Sequence, residues 1–209
     1  MAGLNWLIRA WHEHRNVVLA DEMGLGKTIM TLSLFDHLNK VYKLRGPYLI
    51  LAPLTTLEHW KRIADEWTNL NSVLYYDPGS SEGRQEIRQW EWFYTDVTFK
   101  GTITQKSELY KFNIMITSFE VFTSDLNPIL QEIPFIYIVV DEAHRLKNKQ
   151  AKTLKMLKDH PCKRILLLTG TPVQNNTKEL WTLLNYIEPE KFNNMDSFMD
   201  QYGNLESYE

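Results

Sequence analysis

Ala20-Asp21-Glu22-Met23-Gly24-Leu25-Gly26-Lys27-Thr28 stands between two stretches of different periodicity. Before it, Val17-Val18-Leu19 is a continuous apolar run. After it, Ile29, Leu32, Phe35 and Leu38 recur at three-residue spacing, so the order reads as strand, glycine loop, helix. In a phosphate-binding loop the glycines let backbone N–H groups converge on an anion, and the helix N-terminus adds its own donors and a positive dipole end. There Lys27 reaches the β and γ phosphates and Thr28 places its hydroxyl on a magnesium ion. The strict pattern has glycine where this chain has Asp21, while Gly24-Leu25-Gly26-Lys27-Thr28 is intact. A loop that merely caps a helix explains neither the lysine nor the strand before it.

Upstream, Leu4, Leu7, Ile8 and Trp11 mark one face of a helix that runs out near His14-Arg15-Asn16. His12 and His14 flank Glu13, but residues two apart do not share a helix face, so a metal site is not expected there. Downstream, Gly46-Pro47 breaks the chain before a buried strand, Tyr48-Leu49-Ile50-Leu51-Ala52. Thr55 and Thr56 are candidate N-caps of a helix whose apolar face is Leu57, Trp60, Ile63, Ala64 and Trp67. Val73-Leu74-Tyr75-Tyr76 is a third strand, closed by Asp77-Pro78-Gly79-Ser80. From Ser81 to Tyr94 the pattern predicts a charged helix with Ile87, Trp90 and Tyr94 on one side, its tryptophans read as packing rather than base-stacking platforms. Val97, Phe99 and Ile103 alternate around Lys100-Gly101 as in a small hairpin.

Asn113-Ile114-Met115-Ile116-Thr117 is a further buried strand leading through Ser118-Phe119-Glu120 into a short helix. The apolar strand Ile136 to Val140 ends in Asp141-Glu142-Ala143-His144. A basic segment, Arg145 to Lys149, precedes a helix bearing Ala151, Leu154 and Leu157. Ile165 to Leu168 is the last strand and ends at Thr169-Gly170-Thr171-Pro172. Leu180, Leu183, Leu184 and Ile187 define the next helix, and Phe198 with Tyr202 begins another. The strand candidates are continuous apolar runs alternating with helices, which predicts an α/β fold with a parallel sheet covered on both faces. Residues 1–209 are expected to form one domain.

Composition narrows the function. Hydrophobic residues make up 44% of the 209 and charged residues 23%, an ordinary globular balance. The formal net charge of -3 gives no global basic field that would draw the whole chain to nucleic acid or an anionic membrane, so any nucleic-acid contact must be local. No apolar run has transmembrane length, and Arg9 and His12 fall where a signal peptide needs its apolar core. The single cysteine, Cys162, has no partner for an intramolecular disulfide, fits a reducing compartment, and is expected to be a neutral thiol.

The strand ends carry the chemistry. In open α/β sheets ligands bind at the carboxyl edge. A carboxylate there, Asp141, can hold the magnesium of a bound nucleotide, and Glu142 is placed to orient or deprotonate an attacking water. An acidic pair at a strand end is weak evidence alone; beside Gly26-Lys27-Thr28 it predicts hydrolysis of a nucleoside triphosphate or phosphoryl transfer. Ala52-Pro53-Leu54-Thr55-Thr56, Thr117-Ser118-Phe119-Glu120 and Leu168-Thr169-Gly170-Thr171-Pro172 bring hydroxyls and free N–H groups to the same edge. A small-molecule kinase would need a substrate pocket and lid, and no separate stretch supplies them.

Five stretches together resemble the Swi/Snf-type helicase-like ATPases of superfamily two: Gly3 to Leu7, Ala20 to Thr28, Ala52 to Trp60, Asp141 to Asn148 and Leu168 to Asn176, in the family's order and across nearly the whole chain. Trp60 through Trp67-Thr68-Asn69-Leu70-Asn71, with Phe198 to Leu205, resembles more closely the chromodomain helicase DNA-binding remodellers. His59 departs from the usual asparagine, and Asp77 to Phe112 matches loosely; Asp21 is what these ATPases carry at that position.

The resemblance implies a RecA-like three-layer αβα lobe with a mainly parallel sheet. It implies an ATP site formed by Asp21, Gly24, Leu25, Gly26, Lys27 and Thr28, with Thr28 and Asp141 on Mg2+ and Lys27, Asp141 and Glu142 as the catalytic set. Thr55, Thr56, Thr117 and Ser118 match positions that touch a DNA backbone, and Lys147 and Asn148 lie nearby. His144, Thr169, Gly170 and Thr171 match positions that couple nucleotide state to DNA. The implied partners are double-stranded DNA, the nucleosome with its histones, and a second RecA-like lobe in cis, with no membrane; the implied location is the nucleus. The family's adenine-reading glutamine is expected upstream of Gly3 and its arginine fingers beyond Glu209, so this chain by itself is expected to hydrolyse ATP poorly. The competing readings are a strand-separating helicase and, for the isolated piece, a non-hydrolysing nucleotide- or DNA-binding module.

Overall fold

The structure is a computed structural model that describes residues 2–22, 24–78, 81–97, 103–147, 151–170 and 177–203. Helix α1 (Ala2–His12) is followed by β1 (Val17–Leu19), the glycine loop and α2 (Lys27–Tyr42). Then come β2 (Tyr48–Ala52), a 3-10 turn over Leu54–Thr56, α3 (Leu57–Trp67), β3 (Ser72–Leu74) and α4 (Ser81–Glu91). A hairpin of β4 (Phe93–Val97) and β5 (Ile103–Tyr110) precedes β6 (Ile114–Ser118) and α5 (Phe119–Asp125), which runs on into a π turn over Leu126–Leu130. The chain continues with β7 (Tyr137–Val140), a 3-10 turn over Ala143–Lys147, α6 (Ala151–Asp159), β8 (Arg164–Leu168), α7 (Thr177–Ile187) and α8 (Met195–Tyr202).

The main sheet has six strands in the order β1-β8-β7-β2-β6-β3, and every pairing in it is parallel. The continuous apolar runs have their reason here. Successive side chains of a strand point to opposite faces, and both faces are buried. Leu49, Leu51, Met115, Ile138, Val140 and Leu167 enter one core with Phe122 of α5, Leu157 of α6 and Leu183 of α7. Their neighbours Tyr48, Ile50, Ile114, Ile116, Val139 and Leu168 enter a second core with Leu7 of α1, Phe35 of α2 and Trp60 of α3. The result is the expected three-layer α/β fold. Phe35 stacks on Tyr48 with ring centroids 4.2 Å apart, which fastens α2 to the centre of the sheet.

Several local expectations are corrected. Helix α4 ends at Glu91 rather than Tyr94, because Phe93 and Tyr94 belong to β4, whose antiparallel partner β5 pairs Phe93 with Tyr110. The hairpin is longer than its alternating core suggested, and Phe99, Lys100 and Gly101 lie outside the described residues. Trp90 is exposed; the packing tryptophan is Trp92, 6% exposed, with its ring against Tyr75 and Phe112. On α3, Leu57, Trp60 and Ala64 are buried but Trp67, the last residue of the helix, is 59% exposed. Neither Thr55 nor Thr56 caps α3 by its side chain: Thr56 is already turned helically and donates its hydroxyl back to the Pro53 carbonyl at 3.0 Å. Cys162 donates its thiol to the Arg164 carbonyl at 3.0 Å, and burial pushes the thiol up to about 11, so it is neutral.

Gly46, at φ 102°, turns the chain from α2 into β2, and a Cβ there would lie 2.5 Å from the Asn113 carbonyl oxygen. That carbonyl accepts from Tyr48 N at 2.8 Å and so cannot withdraw freely. Gly46→Ala is therefore expected to destabilise the fold by at least about 1–3 kcal/mol from backbone strain alone, read as a lower midpoint in urea unfolding.

Candidate active site

The parallel register lines up the carboxyl ends of the strands. Leu19 pairs with Leu168, Leu167 with Val140, Val140 with Leu51, and Ala52 with Ser118. Backbone bonds continue the ladder past the strands: Thr169 N donates to the Leu19 carbonyl at 3.2 Å and Asp141 N to the Leu51 carbonyl at 2.8 Å. Along one edge this sets, in order, the glycine loop, Thr169-Gly170, Asp141-Glu142, the Pro53–Thr56 turn and Ser118. The loop and the acidic pair are two strands apart, roughly 10 Å at ordinary strand spacing.

Gly24 and Gly26 both have positive φ, 83° and 80°, and a Cβ added at either meets nothing within 4 Å. The glycines serve the backbone conformation and not a tight packing. Gly26 is the N-cap of α2, so the helix opens directly onto the loop with its positive end. Lys27 folds its ammonium over the loop, donating to the carbonyls of Asp21 at 2.6 Å and Glu22 at 2.9 Å. Thr28 is the second residue of the same helix, and Leu25 is 61% exposed. Backbone N–H donors at the start of α2, the Lys27 ammonium and the Thr28 hydroxyl, on the same sheet edge as the Asp141 carboxylate, form a donor set that fits a triphosphate with its magnesium ion.

Two hydrogen bonds hold the Asp141 carboxylate. Asp141 Oδ2 accepts from the Trp60 indole Nε1 at 2.8 Å, and Asp141 Oδ1 accepts from Glu142 N at 2.9 Å. Glu142 has φ 48°, a left-handed backbone that costs a β-carbon-bearing residue free energy and commonly marks functional positions. Its Oε2 is buried and lies 3.2 Å from His144 Nδ1, with no hydrogen-bond partner among the described residues. The same His144 Nδ1 lies 3.4 Å from Thr169 Oγ1. His144 thus stands between Glu142 at the end of β7 and Thr169 at the end of β8.

The residues expected to meet a DNA backbone divide. Thr55 is exposed and Thr56 half-buried at the rim. Thr117 and Ser118 are fully buried, with the Thr117 hydroxyl donated to the Tyr75 carbonyl at 2.7 Å and Ser118 Oγ capping α5 by accepting from Val121 N at 3.2 Å. The Thr117 hydroxyl is thus donated inside the protein and the Ser118 hydroxyl caps a helix, and both side chains lie beneath the surface at this end of the edge. Gly170 lies in a bend two residues past the end of β8; Lys147 ends the 3-10 turn; Asn148 and Thr171 lie outside the described residues. His12 is engaged elsewhere, 2.7 Å from the Tyr42 hydroxyl.

Periodicity did not point to the Trp60–Asp141 bond or to a second buried charge site. There Asp125 accepts from Arg84 Nε at 2.8 Å, Arg84 Nη2 at 3.0 Å and the Tyr75 hydroxyl at 2.7 Å. The available signal was that buried indoles and phenols usually require a polar partner.

A parallel sheet whose edge strand feeds a glycine loop, with an acidic pair two strands away, is that of a RecA-like lobe. The solved SWI2/SNF2 ATPase core from Sulfolobus solfataricus, described in complex with dsDNA, matches it with a TM-score of 0.72 and 26% identity, over 95% of this chain and 37% of that one. The chain belongs to the SNF2-related domain family, whose profile matches residues 1–207. It is 41% identical over 209 residues to chromodomain-helicase-DNA-binding protein 6 of Rattus norvegicus and 42% identical to chromodomain-helicase-DNA-binding protein 8 of Xenopus tropicalis. It spans only 7% and 9% of those two proteins. Among the described residues, no helix is long and apolar enough to cross a membrane.

Proposed function

We propose that this chain is the ATP-binding and DNA-contacting first lobe of an ATP-dependent chromatin remodeller, a DNA-dependent ATPase that translocates on double-stranded DNA to reposition nucleosomes in the nucleus. The observation that carries this reading is the single sheet edge on which the loop of Lys27 and Thr28, the carboxylates of Asp141 and Glu142, and the exposed turn at Thr55 follow one another. Family membership supports ATP as the nucleotide, and the dsDNA of the solved relative supports duplex DNA as the track.

In this reading Lys27 leaves the carbonyls of Asp21 and Glu22 and carries its charge to the β and γ phosphates, while the N-terminus of α2 cradles the same anion. Thr28 and Asp141 would hold a magnesium ion, which when bound would supply charge neutralisation for the triphosphate. Glu142, with a buried oxygen free of hydrogen bonds among the described residues, orients the attacking water and takes its proton. His144 passes the state of Glu142 to Thr169, and so to the Thr169–Thr171 segment. A second lobe in cis supplies the arginines that complete the site.

In the full-length protein, ATP hydrolysis is expected to rise on addition of duplex DNA, without strand displacement. Stimulation by single-stranded RNA alone, or unwinding of a forked duplex, would overturn the reading in favour of a strand-separating helicase.

A further inference from the structure

Trp60 lies in the core beneath α3, 1% exposed, where any large apolar side chain would fill the space. Its indole nonetheless delivers its single N–H to the end of β7, 2.8 Å from Asp141 Oδ2. Such pairing is not automatic in this protein: the buried indole nitrogens of Trp92 and Trp181 have no hydrogen-bond partner among the described residues. With Glu142 N on Oδ1, each oxygen of Asp141 has one protein donor. Each then keeps one lone-pair direction for a cation, and the carboxylate cannot rotate without losing both bonds.

We propose that Trp60 is a positioning residue for the metal-binding carboxylate: its indole N–H holds Asp141 in the orientation that receives the divalent cation. The inference rests on the reading of Asp141 as that carboxylate. Outer-shell partners of this kind orient metal ligands, and their loss lowers metal affinity about 10–100-fold. The connection also ties α3, whose preceding turn exposes Leu54 and Thr55, to the nucleotide end of the edge. A displacement of that turn reaches Asp141 through one helix and one hydrogen bond.

The test is the Mg2+ dependence of binding of a fluorescent, non-hydrolysable ATP analogue to the full-length protein. Trp60→Phe is expected to raise the Mg2+ half-saturation about 10-fold. Affinity for the analogue in EDTA should stay at the wild-type value, whereas a merely structural loss would weaken binding with and without Mg2+. Replacing Trp60 by benzothienylalanine keeps the bicyclic shape and removes only the donor, so it decides the matter if the phenylalanine variant folds poorly. Asp141→Ala is the reference. If it raises the half-saturation and both Trp60 variants leave it unchanged, the positioning role is overturned and the reading of Asp141 stands. If Asp141→Ala leaves the Mg2+ dependence unchanged, the reading of the carboxylate falls, and the proposal with it.

Discussion

Glu142→Gln is expected to lower DNA-stimulated ATP turnover in the full-length protein by about 10²–10⁴-fold, the usual contribution of a positioned general base. Glutamine keeps the shape of the side chain and loses the charge that attracts a proton. The backbone at Glu142 holds φ 48°, so the side chain is aimed by main-chain geometry, not by a hydrogen bond to Oε2, which has none among the described residues. Nucleotide affinity should therefore survive the substitution. Lys27→Ala should behave differently, weakening binding itself, because its ammonium meets the phosphates in the ground state as well as the transition state. Equilibrium binding beside single-turnover hydrolysis separates the two. A Glu142→Gln protein that hydrolyses at the wild-type rate would remove Glu142 from the mechanism.

Asp125→Ala is expected to cost about 3–5 kcal/mol of stability, as breaking a buried ion pair does. For a chain of this size that is a fall in Tm of about 10 °C, at about 2–4 °C per kcal/mol. Asp125 is 7% exposed and joins Arg84 of α4 to Tyr75 beyond β3, with Arg88 3.7 Å away and also bonded to the Tyr75 hydroxyl at 2.5 Å. Without the carboxylate, two guanidiniums face the phenol across a desolvated space.

The same group predicts a pH dependence. Burial pushes the Asp125 carboxyl up, but hydrogen bonds from Arg84, Tyr75 and Ser124 and the charge of Arg84 outweigh it and hold the carboxyl at about 2. In the unfolded chain it titrates near about 3.9. Between these values the unfolded state binds the extra proton, so stability rises with pH there. The contribution, on the order of 2 kcal/mol, is present above about pH 4 and is lost as the pH falls toward about 2. Urea unfolding across that window should show the loss in the wild type and a flatter profile in Asp125→Asn. An identical slope in both would remove Asp125 as its source.

What the sequence by itself determined was local. The runs at Tyr48, Ile114, Tyr137 and Ile165 are apolar nearly throughout because both faces of a central parallel strand are buried, and the helices between them repeat near 3.6 residues. The glycine loop is legible for the same reason: Gly24, Gly26, Lys27 and Thr28 act through one turn of backbone and the helix that follows. Where competing local preferences met, the reading failed. Tyr94 continues the helical spacing of α4, but pairing with β5 takes that stretch into a strand; Trp67 continues the stripe of α3 into its last residue, which is exposed.

Only the tertiary structure decided the order β1-β8-β7-β2-β6-β3, and with it which strand ends become neighbours. It brought Trp60 to Asp141 across 81 residues of chain, set His144 between Glu142 and Thr169, and turned the hydroxyls of Thr117 and Ser118 inward. Those outcomes have no periodicity to announce them. Each is a single polar contact whose partner is chosen by how the layers stack, and a pattern along the chain reports which face a residue occupies but not what waits for it there.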